Sequence, residues 1–411
     1  MKLSKSKKDI KILLLEGVNQ SAIEVFNRAG YNNIETVSSA LPSKELNIKV
    51  KDCHILGIRS RTQVTKETLK HANSLIAIGC FCIGTNQVNH TAATLHGIPV
   101  LNAPYSNTRS VAELVIAEMI MLMRGIPEKN TKTHNGEWEK SAINSYEVRG
   151  KTLGIIGYGH IGSQVSTLAE SLGINIIFYD IEEKLALGNA LQVNSVDELL
   201  KQSDMISLHV PANEQTTNMI SSSSFLIMKQ NSILINASRG NVVDITALNN
   251  ALESKKILGA AIDVFPEEPK SNKDKFSSIL TKHDNVILTP HIGGSTLEAQ
   301  KNIGLEVSKK LIKYSDNGST TSSINFPDVS LPILHPSSCR ILHIHHNRTG
   351  VMKEINNIIS ENNINIVGLY LQTNESIGYV VMDIETSQEH AKQLLNQFKK
   401  IPETIRSRAL F

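Results

Sequence analysis

Three glycines at one spacing constrain this chain more than any other feature. Gly157-Tyr158-Gly159-His160-Ile161-Gly162 follows an apolar run, Thr152 to Ile156, and opens a helical pattern that Gly173 ends. A second apolar run, Ile174 to Tyr179, leads into Asp180. A G-x-G-x-x-G alone matches loops by chance, and a glycine-rich turn without a ligand is the alternative. Here strand, turn, helix, second strand and acid stand in the order a dinucleotide site requires. The first glycine permits the tight turn, the second lets backbone approach a pyrophosphate, and the third lets helix and strand pack closely. Amides at the helix N-terminus favour the phosphate charge. Asp180 can accept hydrogen bonds from the adenosine ribose hydroxyls and would repel a 2′-phosphate, so NAD is expected over NADP.

At 411 residues the chain is too long for one ordinary domain. Its first hundred residues alternate short apolar runs (Lys11 to Leu15, His54 to Ile58, Leu75 to Gly79, Pro99 to Leu101) with helical patterns, which predicts a parallel sheet covered on both faces. A helix from Ser110 to Arg124, apolar almost all round, reads as buried between domains or against another subunit. From Lys151 a second series carries strands at Thr152 to Ile156, Ile174 to Tyr179, Met205 to Val210, Ser232 to Asn236, Gly259 to Val264 and Val286 to Leu288. Capping boxes at Ser195-Val196-Asp197-Glu198 and Ser295-Thr296-Leu297-Glu298 open helices, the second running to Tyr314. The polar stretch Ser315 to Ser323 reads as linker. The tail then follows a β-α-β-β-α-β order, with strands at Arg340 to His345, Ile364 to Thr373, Gly378 to Ile384 and Thr404 to Phe411, and helices at Gly350 to Asn362 and Ala391 to Phe398. That order is ferredoxin-like. The expected domains are 1–107 completed by 295–330, then 108–294, then 338–411.

Composition narrows the classes. Hydrophobic residues make up 40% and charged residues 20%, enough to build full cores. A net charge of +3 lacks the basic excess of a nucleic-acid binder. Val111 to Met123 is the longest greasy stretch, and Glu113 and Glu118 interrupt it, so no membrane span is expected. Cys53, Cys80, Cys82 and Cys339 have no zinc spacing and read as reduced thiols. With no export signal after the lysine-rich start, the cytoplasm is the expected compartment.

Three charged residues follow strand ends of the second series: Arg239 in Asn236-Ala237-Ser238-Arg239-Gly240, Glu268 in Asp263-Val264-Phe265-Pro266-Glu267-Glu268-Pro269, and His291 in Thr289-Pro290-His291-Ile292-Gly293-Gly294. Ligands of open α/β sheets bind beyond the carboxyl ends of strands, so one crevice can hold all three. Oxidising a 2-hydroxy acid needs a base near neutral pKa, a cation for the carboxylate and a carboxylate behind the base. Each alone reads as a capping or salt-bridged group, but three in register with a dinucleotide fold do not. Arg59-Ser60-Arg61 follows another strand end, and two cations beside a hydroxyl suit a phosphate better than a merely solvated surface.

These segments resemble the D-isomer-specific 2-hydroxyacid dehydrogenase family. NASRG, DVF-x-x-EP, TPHIGG, Gly79 to Asn86, Asn102 to Ser110 and the ferredoxin-like tail all match its branch that acts on D-3-phosphoglycerate and carries a C-terminal serine-binding ACT domain. The resemblance spans almost the entire chain. It implies an α/β protein with a flavodoxin-like substrate domain, a Rossmann-type NAD domain and an ACT regulatory domain. It implies NAD-dependent oxidation of 3-phosphoglycerate, with 2-oxoglutarate reduced as well, feedback by L-serine and a homotetramer. His291 would be the general acid/base, Glu268 its orienting carboxylate, and Arg239 the grip on the substrate carboxylate. Asp263 would lie on the nicotinamide side, while Ala237, Ser238, Arg239, His291, Ile292, Gly293 and Gly294 would line the cofactor. Arg59, Ser60 and Arg61 would bind substrate, joined by Lys140 in a loop reaching a neighbouring subunit.

In the tail, His345 and Asn347 of one subunit would meet Asn365 of another around L-serine. His343 and His345 share a strand face, but two histidines without a third ligand argue against a metal. Two departures stand out: Thr349 replaces the family's usual proline, and Leu334-His335-Pro336-Ser337-Ser338-Cys339 lacks the expected Gly-Gly hinge. The rivals are a glyoxylate or hydroxypyruvate reductase, which would need neither Arg59 and Arg61 nor the tail, and a non-enzymatic NAD-sensing corepressor-like protein.

Overall fold

The computed structural model describes residues 5–269, 273–334 and 338–410. Among them the strands form three sheets. The first holds β1 (Ile12–Leu14), β2 (Ile34–Thr36), β3 (Ile55–Ile58), β4 (Ala77–Cys80) and β5 (Val100–Asn102), all parallel, in the flavodoxin-like order β2-β1-β3-β4-β5. Apolar runs without polar alternation make such a sheet because both faces are covered. Leu13, Leu56, Ile58 and Ile78 pack on one face and Ile12, Leu14, Ile55 and Ala77 on the other, following the strand period of two.

The second sheet holds β6 (Thr152–Ile156), β7 (Asn175–Tyr179), β8 (Leu191–Gln192), β9 (Met205–Leu208), β10 (Ser232–Asn236), β11 (Ile257–Ile262) and β12 (Val286–Leu288). Its order, β12-β11-β10-β9-β6-β7-β8, reverses between β6 and β9, as in a Rossmann fold. The helix Thr108–Met123 covers one face through Val111, Val115, Met119 and Leu122, whereas Leu114, Ile116, Ile120 and Met121 stay half-buried. Ser195 caps its helix as expected, accepting from Glu198 N at 3.1 Å. The later helix begins at Leu297 with Thr296, not Ser295, as its cap, and runs to Asn317.

The third sheet is antiparallel, β14 (Ile366–Thr373), β15 (Ile377–Ile384), β13 (Cys339–His346) and β16 (Thr404–Leu410) in that order, with helices Val351–Glu361 and Gln388–Phe398 on one face. Its other face buries Leu342, Ile344, Tyr379 and Val381 against Phe326, Val329 and Leu331 of the preceding segment. Two compact units result: 1–106 with 300–411, and 107–299.

The tail is tied into the same unit as the first sheet. Fully buried Arg340 pairs with Asp383 through two 2.6 Å bonds and donates to the carbonyls of Asn317 and Pro332. Arg406 donates to the carbonyl of Leu75 at 2.5 Å. Nor is Ser315 to Ser323 a loose linker. Its first residues finish a helix, Ser315, Ser319 and Thr320 are buried, and Tyr379 donates to the carbonyl of Gly318. Serine and threonine content signalled a loop, but the hydroxyls of Thr320 and Ser323 bond backbone, to Pro327 O and Val100 O. Positions 335–337 of the expected hinge lie outside the described residues. No helix among the described residues is long and apolar enough to cross a membrane.

Candidate active site

The glycines of the dinucleotide turn each meet the demand their position makes. Gly157 has φ +92°, and a Cβ there would lie 2.4 Å from the carbonyl oxygen of His209. A Cβ on Gly162 would meet Gly157 O at 2.2 Å, so helix and turn pack through bare backbone. A Cβ on Gly159 would have nothing within 4 Å. Gly159 is the N-cap of the helix His160–Glu170 and provides no side-chain cap. Open space before first-turn amides suits a pyrophosphate, so these residues fit NAD. Asp180 follows β7, and its carboxylate accepts from Tyr158 N at 2.8 Å and Glu182 N at 3.1 Å. His160 is exposed and Ile161 half-buried at the same edge.

Beyond β10, Asn236 turns the chain: its Oδ1 accepts from Ser238 N and Oγ, and its Nδ2 donates to Arg239 O. The Arg239 guanidinium donates to Ser238 O at 2.7 Å. Ala237 and Arg239 are half-buried. Gly240 lets the turn lie on the Phe265 backbone, where a Cβ would come within 2.0 Å. From the loop after β11, Glu268 accepts from Phe265 N and clasps His291 Nδ1 at 3.0 and 2.9 Å. That leaves Nε2 as the imidazole nitrogen for a substrate. His291 has φ +55°, a left-handed strain that persists only where its surroundings fix it. Here its amide donates to Asp263 O at 2.8 Å, and the buried Asp263 carboxylate accepts from Thr289 Oγ1, Ile292 N and Gly293 N. A Cβ on Gly294 would crowd Asn107.

The electrostatics follow this geometry. The bond to Glu268 raises the His291 pKa above its ordinary value, against the lowering effect of burial. Burial pushes the Glu268 carboxyl up, but the His291 bond and charge, the Phe265 amide and Arg239 outweigh it and hold it below the usual range. The pair thus favours an imidazolium facing a carboxylate.

Arg59, Ser60 and Arg61 follow β3, with Arg59 half-buried and the other two exposed. Lys140 is exposed in the loop after the helix Ile126–His134, near Trp138 at 86% exposure. In the tail, His345 is buried with its ring against Gly378, and Asn347 donates to Asn374 O at 2.8 Å. Asn365 is exposed just before β14, whose first residue pairs opposite Ile384, while His345 pairs with Gly378. Within one chain, then, Asn365 lies at the other end of the sheet from His345 and Asn347.

Glu118 was legible only as an interruption of a greasy run. It is 2% exposed on the helix Thr108–Met123, and among the described residues neither carboxylate oxygen has a hydrogen-bond partner. Burial pushes its pKa up to about 8, and the charge of Asp263 adds to the rise. That shift favours the protonated form of Glu118 at neutral pH.

Residues 116–293 match the family model described as D-isomer specific 2-hydroxyacid dehydrogenase, NAD binding domain, and residues 341–406 match the AHAS small subunit-like ACT domain. The chain is 58% identical over 410 residues to D-3-phosphoglycerate dehydrogenase of Escherichia coli (strain K12), covering 100% of both. It is 48% identical to D-3-phosphoglycerate dehydrogenase 1 of Saccharomyces cerevisiae, covering 98% of this chain and 88% of that one. Among solved structures it is similar to a D-2-hydroxyisocaproate dehydrogenase (TM-score 0.69, 26% identity, 77% of this chain and 100% of that one). The D-lactate dehydrogenase of Aquifex aeolicus complexed with NAD and lactic acid is similar too (TM-score 0.67, 27% identity, 77% and 100%).

Proposed function

The chain belongs to the D-3-phosphoglycerate dehydrogenases of the D-isomer specific 2-hydroxyacid dehydrogenase family, and on that premise we propose that it oxidises D-3-phosphoglycerate to 3-phosphohydroxypyruvate with NAD, the first step of L-serine biosynthesis. The observation that carries the chemistry is the Glu268 fork on His291 Nδ1. NAD, when bound, supplies the hydride acceptor. His291 Nε2 takes the C2 hydroxyl proton, and Glu268 stabilises the imidazolium that results. Arg239 holds the substrate carboxylate and polarises the C2 oxygen in the reverse reaction. Asp263 keeps the His291 loop in place, and Ala237 to Arg239 with Ile292 to Gly294 would line the bound cofactor.

Arg59, Ser60 and Arg61 bind the phosphate, with Lys140 added from a neighbouring subunit. Exposure of Trp138 at 86% and Ile143 at 78% supports a loop covered in a homotetramer. Residues 1–107 with 295–330 act on substrate, 108–294 on NAD, and 338–411 on the effector. L-serine binds between two tails, which the separation of Asn365 from Asn347 within one chain supports. Reduction of 2-oxoglutarate is a side activity of the same site. The setting is the cytoplasm, where four free cysteines stay reduced.

NADH oxidation with 3-phosphohydroxypyruvate, against glyoxylate and 2-oxoglutarate, tests the assignment. The phosphorylated acid should give the highest kcat/KM, and His291→Ala should cut turnover by about 10² or more with NAD binding kept. Preference for glyoxylate, or near-normal turnover in His291→Ala, would overturn it.

A further inference from the structure

Glu16 stands two residues past the end of β1, is only 8% exposed, and has φ +63°. Gly17 follows at φ +62°. A left-handed glutamate is uncommon and is retained only where surrounding structure fixes it. The kink turns its side chain back beneath the loop that follows β3. There Oε1 accepts from Arg59 N at 3.2 Å and Thr62 N at 2.8 Å, and Oε2 accepts from Arg61 N at 3.0 Å. The Arg59 guanidinium also donates to the Glu16 carbonyl at 3.4 Å. From the other side, buried Gln87 donates to Arg59 O at 2.7 Å and to Gly84 O at 3.1 Å. The loop is clamped by an acid on its amides and an amide on its carbonyl.

We propose that Glu16 is a positioning residue for the substrate phosphate: its carboxylate fixes the Arg59–Thr62 loop and occupies the loop amides, so the phosphate is read by the Arg59, Ser60 and Arg61 side chains. This rests on the reading that the phosphate binds at Arg59 to Arg61. A loop with three free amides would attract any small anion, carboxylates included. With those amides taken, guanidinium groups provide the contact, and their paired donors match a phosphate's oxygens. The negative charge of Glu16 also cancels part of the local positive charge, so an anion is held by directed bonds more than by bulk attraction. Glutamine cannot replace it, because its NH2 would face a backbone N–H, donor against donor.

The test uses the full-length enzyme with Glu16→Gln and Arg59→Ala, assayed by NADH oxidation with 3-phosphohydroxypyruvate and with 2-oxoglutarate. Glu16→Gln should raise KM for the phosphorylated acid by about tenfold or more, with a much smaller change in kcat and in KM for 2-oxoglutarate. Glu16→Asp, which keeps the carboxylate, should recover part of the loss. If Arg59→Ala is phosphate-selective and Glu16→Gln harms both substrates equally, Glu16 is only a structural cap and the proposal fails while the phosphate site stands. If neither is selective, the phosphate site itself is misplaced and the proposal falls with it. Hydrogen exchange on the wild type needs no variant to fold. The Arg59, Arg61 and Thr62 amides should be protected without substrate and gain little when 3-phosphoglycerate binds, whereas unprotected amides, or strong new protection on binding, would overturn the proposal.

Discussion

Glu268→Gln separates charge from geometry at His291, the imidazole proposed as acid/base. Glutamine keeps an oxygen able to accept from His291 Nδ1–H, so ring orientation survives while the negative charge is lost. The bond to Glu268 is the leading cause that raises His291 above its ordinary value of 6.5, so its pKa should fall in the variant. Oxidation needs neutral imidazole, and its acid limb follows the His291 pKa, so that limb moves to lower pH. Reduction needs imidazolium, and its alkaline limb also moves to lower pH, which narrows the working range.

A hydrogen bond to a charged group contributes about 1.5–3 kcal/mol. The two side chains are 53% and 36% exposed, so solvent screening takes this toward the low end, about 1–1.5 kcal/mol. With 1.36 kcal/mol per factor of ten, reduction at neutral pH should slow about tenfold, and oxidation at alkaline pH less. Initial rates in both directions across about pH 6 to 9 check this. Limbs that stay in place, or move to higher pH, would show that Glu268 does not act through the His291 charge.

Asp180→Ser should weaken NAD by about tenfold and admit NADP, measured as the ratio of kcat/KM for the two cofactors; a wild type that already uses both would refute the reading of Asp180. Glu118 keeps a proton up to about pH 8 in the folded chain but ionises near the ordinary glutamate value of 4.5 when unfolded. Stability should therefore fall as pH rises from about 4.5 to 8, by up to roughly 5 kcal/mol at the alkaline end, and Glu118→Gln should abolish that decline in thermal melts. Equal losses in variant and wild type would show that Glu118 is not the group. L-serine should bind by calorimetry and slow the wild type, and Asn365→Ala should lose the binding; unaltered binding in Asn365→Ala would remove that residue from the site.

The sequence was most legible where function forces a residue type. The turn Gly157 to Gly162 needs a positive φ, an open approach and a close contact, and only glycine meets all three. Long apolar runs placed most strands of both parallel sheets because each is buried on two faces. β2, with the burial of a surface edge, and the two-residue β8 lacked that signal. The attachment of the tail was hidden as well. Arg340 donates to carbonyls 8 and 23 residues back and Arg406 to one 331 residues back, pairings that no local pattern announces. Glu118 carried one hint, an acid in an apolar helix, but a hint about membranes rather than about its buried proton.

Least legible in the sequence was the loop-holding role of acids at strand ends. Glu16 follows β1, Asp180 follows β7 and Asp263 follows β11, each just past a strand's carboxyl end. Glu16 accepts from Arg59, Arg61 and Thr62, Asp180 from Tyr158 and Glu182, and Asp263 from Ile292, Gly293 and Thr289. Amides of loops at a sheet edge have no ladder partner, and each left unsatisfied in a buried place costs about 1–3 kcal/mol. One carboxylate, with two oxygens and only lone pairs to offer, satisfies several at once. Its partners lie on a neighbouring strand's loop, 43 to 46 residues away for Glu16 and 29 to 30 for the Asp263 amides, so no short spacing betrays the pairing. The loops read as ligand-binding carry particular residues in a row and show as motifs. The role of fixing them needs only an acid near in space, and becomes visible when each sheet brings acid and loop together.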